Sequence, residues 1–61
     1  MNFKRTYNKD NTNTYYYVDN KRVSEEAFDN KEILCRVKGM NYNSSLLTSK
    51  GNRYTSTFSY N

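Results

Sequence analysis

Sixty-one residues, 34% of them hydrophobic, with a mean hydropathy of −1.17, limit the chain to one domain (residues 1–61) built on a small core. Cys35 is the single cysteine and histidine is absent, which excludes an internal disulfide, the usual zinc spacings and any Ser-His-Asp or Cys-His pair. A net charge of +4 and a pI of about 9.3 favour anionic partners: nucleic acid, nucleotides or an acidic protein surface.

Seven Tyr and three Phe, with no Pro and two Gly, argue for a folded domain, because disordered segments are poor in aromatics. Tyrosine is expected to do much of the burying, and its hydroxyl suits a binding face. With neither metal nor crosslink, self-association is the natural supplement to so small a core. The N-terminus has no continuous apolar run and no transmembrane span occurs, so a cytoplasmic protein is expected.

Along the chain, residues 2–8 alternate. Phe3, Arg5 and Tyr7 share one strand face, with Lys4, Thr6 and Asn8 opposite. Lys9 to Asn13 is a turn by composition, and Thr14 to Val18 returns antiparallel as an aromatic, β-branched strand. Asp19-Asn20 turns tightly, because short Asx side chains tolerate positive φ, and lets Lys21-Arg22 pair back onto Tyr17-Val18. Ser24 is an N-cap, followed by Glu25 and Glu26 where the helix dipole favours negative charge. Val23 and Phe28 have the spacing of a hydrophobic staple. The helix is expected to be short, Glu25 to Lys31, with its Ala27 and Phe28 face on the sheet.

Glu32 to Lys38 reads as a strand with Ile33, Cys35 and Val37 on the core side. Gly39 to Asn43 is a break. Ser44 to Thr48 is a further strand carrying Leu46 or Leu47 inward, and Ser49 to Asn52 is a hairpin turn. Arg53 to Tyr60 alternates cleanly, with Tyr54, Ser56, Phe58 and Tyr60 on one side and Arg53, Thr55, Thr57 and Ser59 on the other. The fold class is therefore α+β: a small antiparallel sheet of four to five strands with one short helix, in the order ββαβββ.

Enzymatic patterns are nearly absent. Gly39 and Gly51 match neither dinucleotide nor P-loop spacings. Asp19, Glu25, Glu26, Asp29 and Glu32 cluster around the helix, where dipole complementation explains them, and Cys35 reads as a small buried hydrophobe. No catalytic, metal or cofactor site is expected, and the chain reads as a binder, not an enzyme. The basic residues interleave with tyrosines, offering charge together with stacking planes. The candidate ligand contacts are Tyr15, Tyr17, Lys21, Arg22, Arg36 and Arg53.

The stretch Tyr16-Tyr17-Val18-Asp19-Asn20-Lys21-Arg22-Val23-Ser24-Glu25-Glu26, in a chain of this size rich in Asn, Lys and Tyr, resembles the small orphan proteins of bacteriophage genomes. That resemblance implies counter-defence in the host cytoplasm. One form is an oligomeric sponge that sequesters an anionic nucleotide signal, and another is an anti-CRISPR-like inhibitor that covers a host protein. The residues alone leave three readings open: a self-associating nucleotide binder, a protein inhibitor and a small single-stranded nucleic-acid binder.

Overall fold

Strands and one helix follow in the order β1 (Asn2–Asn8), β2 (Tyr15–Val18), β3 (Lys21–Val23), α1 (Glu25–Val37), β4 (Tyr42–Lys50) and β5 (Arg53–Tyr60). The computed structural model describes the backbone of residues 1–61 and the side chains of residues 1–43 and 46–61. All strands join one antiparallel sheet in the order β3-β2-β1-β5-β4. The class is α+β, with most of the chain in the sheet.

The turns follow from the residues that make them. Asp19 and Asn20 both hold positive φ (50° and 67°), the conformation of a two-residue type I′ hairpin. Asn2 and Asp19 lock this corner reciprocally: Asn2 N–H donates to Asp19 Oδ1, and Asp19 N–H donates to the Asn2 carbonyl, each at 2.8 Å. Lys21 and Arg22 pair back onto Val18 and Tyr17 as β3. Gly51 (φ 59°) starts the two-residue turn between β4 and β5, where Lys50 faces Arg53.

The helix begins as its cap residues dictate. The Ser24 hydroxyl accepts from Ala27 N–H at 3.1 Å, and Glu25 and Glu26 fill the first turn. It does not stop at Lys31. It continues to Val37, so the expected strand from Glu32 to Lys38 is the second half of α1 and the order is βββαββ, not ββαβββ. The termination signal is Gly39, not Asn30. Gly39 (φ 72°) donates to the Arg36 carbonyl and Met40 donates to the Cys35 carbonyl, the two bonds of a Schellman cap. The alternation of Ile33, Cys35 and Val37 therefore misleads. Cys35 is 2% exposed and lies two turns after Phe28 on the same helix face, whereas Ile33 and Val37 are 55% and 78% exposed.

A second correction concerns the leucines. β4 is an edge strand running from Tyr42 to Lys50, and Leu46 and Leu47 are 62% and 61% exposed rather than inward. An irregularity in the pairing between Asn43 and Leu46 shifts the register within this edge.

The core is Phe3, Val18, Phe28, Cys35 and Tyr60, with Tyr16, Val23, Met40 and Phe58 packed around it. Phe3 stacks on Phe58 at 5.1 Å and meets Phe28 and Tyr60 edge-on. Phenylalanine thus holds the centre, and Tyr60 is the one fully buried tyrosine among the described residues. Tyr60 also ties the helix to the sheet. Its hydroxyl donates to Glu32 Oε2 at 3.0 Å and accepts from Arg36 Nε at 3.2 Å.

Candidate ligand-binding face

Strand parity gives the sheet two unlike faces. Directly opposed residues share a face, so Phe3, Val18, Phe58, Tyr60, Tyr16 and Val23 lie together under α1. The alternate residues form the helix-free face. There Lys4 sits between Tyr17 and Thr57, Thr6 between Tyr15 and Thr55, and Arg22 beside Tyr17. Arg53 sits between Asn8 and Lys50 at the far end.

The carboxylates are distributed unevenly as well. Asp and Glu occur in none of the strands, and four of the six acidic residues, Glu25, Glu26, Asp29 and Glu32, lie on α1. Tyr16, on the covered face, shows the consequence: burial, and after it the Glu25 carboxylate, pushes its hydroxyl pKa up. The helix-free face carries Lys4, Arg22, Lys50 and Arg53. None of these four is ion-paired; among the described residues the one salt bridge is Arg36 to Glu32, at 3.2 Å.

Each tyrosine on this face holds a cation. Lys4 Nζ lies 4.5 Å from the centre of the Tyr17 ring. The Arg22 and Arg53 guanidiniums lie 4.3 and 5.4 Å from the centre of the Tyr15 ring. Such contacts contribute about 0.5–1 kcal/mol at exposed sites. Arg53 is also an internal brace. It donates to Asn8 Oδ1 at 2.7 Å, Thr6 Oγ1 at 2.9 Å and the Asn13 carbonyl at 3.1 Å. Beside the Lys4–Tyr17 pair lies an open depression of about 310 Å³ lined by Asn2, Lys4, Tyr17, Asn20, Thr57 and Ser59.

Of the six residues singled out from sequence, four meet here: Tyr15, Tyr17, Arg22 and Arg53. Arg36 lies on α1 across the sheet. Tyr60 first, and then Glu32, hold its guanidinium still more firmly protonated, so its charge is already engaged. Lys21 pairs with Val18 and takes the parity of the covered face at the exposed edge. Lys4 and Lys50 complete the cluster, and the alternation that sets Lys4 opposite Phe3 is the signal that marks Lys4.

Among the described residues, no three His, Cys, Asp or Glu side chains gather to hold a metal ion, and no helix is long and apolar enough to cross a membrane. Fold and face together define a small α+β protein whose helix, with four carboxylates, covers one side of the sheet and whose helix-free side carries four cations and two tyrosines with no carboxylate in its strands. Comparison with protein-family models, curated proteins and solved structures finds no match to this chain, so function is argued from the chemistry of the face.

Proposed function

We propose that the protein is a non-enzymatic binder of phosphate-bearing nucleotide ligands and that the helix-free face of the sheet receives them. One observation carries this reading: four cations and two tyrosines share a face whose strands contain no carboxylate. Phosphate takes charge-assisted hydrogen bonds from Lys4, Arg22 and Lys50, and bases take stacking surface from Tyr15 and Tyr17. Arg53 orients Tyr15 and the β1–β2 loop. Sequestration, the counter-defence role that the resemblance to phage proteins implies, needs binding alone and no turnover.

Self-association belongs to the same proposal. β4 ends the sheet with Tyr42, Leu46 and Leu47 exposed, and an unpaired strand edge is self-complementary in an antiparallel pairing. Two copies joined edge to edge about a two-fold axis perpendicular to the sheet would set their helix-free faces side by side. Native mass measurement checks this, with a dimer expected and a strict monomer at high micromolar concentration removing it.

Isothermal titration with cyclic dinucleotides, ADP-ribose-type nucleotides and short oligonucleotides tests the site. Binding that weakens at least tenfold in the Lys4→Gln/Arg22→Gln variant is expected. Absence of binding by the folded wild-type chain to all three classes would remove the reading.

A further inference from the structure

Resting on that reading, we infer that the ligand is a single nucleic-acid strand several nucleotides long, laid along β2 and β1 between β3 and β5, rather than a lone nucleotide. The first reason is shape. Small-ligand sites enclose most of their ligand, whereas this face is an open sheet on a body of 36 × 22 × 17 Å, and its one recess holding Lys4 and Tyr17 is open to solvent. A single nucleotide on such a surface keeps most of its area in water. A polymer gathers many weak contacts, each raising the effective concentration for the next.

The second reason is spacing. Tyr15 and Tyr17 are two residues apart on β2, and Lys4 and Thr6 are two apart on β1, so equivalent groups recur at about 6.5–7 Å. That step is close to the separation of neighbouring phosphates in an extended strand. Each ring has positive charge beside it, Lys4 on Tyr17 and both Arg22 and Arg53 on Tyr15. A stacking plane with positive charge beside it therefore occurs twice along β2, and a polymer of bases and phosphates offers the complementary pair of groups at each step. Lys50 and Arg53 extend the positive track to the opposite end of the sheet. A duplex fits poorly. Its bases are already stacked, and the one helix of the chain lies on the opposite side of the sheet, where it cannot enter a groove alongside this face.

Fluorescence anisotropy of the wild-type chain tests the inference. The probes are labelled oligothymidylate and oligouridylate of about 12 nucleotides, a length within the span of single sheet modules, with thymidine 5′-monophosphate and a duplex of equal length as competitors. Expected is binding at least tenfold tighter to the oligomers than to the monophosphate or the duplex. The logarithm of affinity should fall against the logarithm of salt with a slope of about −2 to −3, at ~0.7 for each of three to four phosphates. The Lys4→Gln/Arg22→Gln variant should lose about 1.4 of that slope, two phosphates' worth. Thr57→Glu, which sets a carboxylate beside Lys4, should abolish binding while circular dichroism stays unchanged. An oligomer bound no tighter than the monophosphate, or a preference for duplex, overturns the strand inference and leaves the nucleotide-binding reading standing. Binding of neither oligomer nor monophosphate overturns both.

Discussion

The two faces of this sheet are made from the same strands, residue by residue, yet they do opposite work. Under the helix, Phe3, Phe58 and Tyr60 pack with Phe28 of α1 into an aromatic core, and α1 carries four carboxylates. On the other face, Lys4, Arg22 and Arg53 lie against Tyr15 and Tyr17, with threonines between them and no acid in any strand. A chain with few apolar residues can cover one side of a five-stranded sheet with its single helix, and it leaves the second side polar. What distinguishes that second side from an ordinary solvated sheet is that its charge has one sign and its tyrosines are already paired with cations. The contrast teaches where stability resides and where recognition is open to evolve separately.

The largest effect that can break the contrast is at its centre. Phe3 is 1% exposed and touches three aromatic rings, so Phe3→Ala is expected to cost about 3–5 kcal/mol. That is enough to unfold a domain of this size at 25 °C, which urea titration followed by circular dichroism will show. Arg22→Gln, equally close to an aromatic ring but exposed on the open face, is expected to stay within about 0.5 kcal/mol of the parent. Equal destabilisation by the two substitutions would erase the division of labour between the faces.

Arg53 is the one residue of the basic face with a structural duty. Its three hydrogen bonds join β5, the end of β1 and the β1–β2 loop. Arg53→Ala should therefore cost about 1–3 kcal/mol, between the two values above, measured by the same denaturation midpoint. Arg53→Lys keeps the charge but not the fork of donors and should recover little of that loss.

Next in size is the helix end. Gly39 holds φ at 72° with open space around its missing Cβ, so Gly39→Ala meets backbone strain alone, at about 1–2 kcal/mol. A neutral outcome in thermal unfolding would mean that α1 does not end in the cap described here.

The smallest effect is a pH dependence in the β1–β2 loop. The Thr12 hydroxyl, and then its N–H, donate to Asp10 Oδ1 and hold the Asp10 carboxyl below its ordinary pKa. A carboxylate depressed in the folded state adds stability above its unfolded pKa and loses it as pH falls through the folded value. The Thr12 amide resonance should therefore move below the ordinary carboxylate range while resonances of the aromatic core stay fixed. Thr12→Val, which removes the hydroxyl and keeps the N–H, should move the Asp10 titration part of the way back toward its usual position.

Much of this fold is legible from local chemistry. The tight turn at Asp19-Asn20, the Ser24 cap, the alternation of β1 and β5 and the burial of Cys35 all follow from residues near one another in the chain. The stretch from Glu32 to Val37 is not legible in that way. Ile33, Cys35 and Val37 fit a strand by period two, while Phe28 and Cys35 fit a helix face two turns apart. What decides between them is the tertiary contact of that face with Phe3 and Tyr60, together with the absence of any stop before Gly39. The same ambiguity covers Arg36, which lies on the helix and so away from the basic face. Lys4 was open to discovery, since alternation fixes it opposite Phe3. Its neighbour Tyr17 comes from another strand, and only the register between β1 and β2 brings the two together.

The most direct test is a titration of the ¹⁵N-labelled protein with unlabelled oligothymidylate, read residue by residue from amide and side-chain resonances. Shifts gathered on Lys4, Thr6, Tyr15, Tyr17, Arg22, Thr55 and Thr57, with α1 unmoved, are what a basic, helix-free receiving face requires. Shifts confined to α1 or to the β4 edge, or none at saturating oligonucleotide, would contradict it.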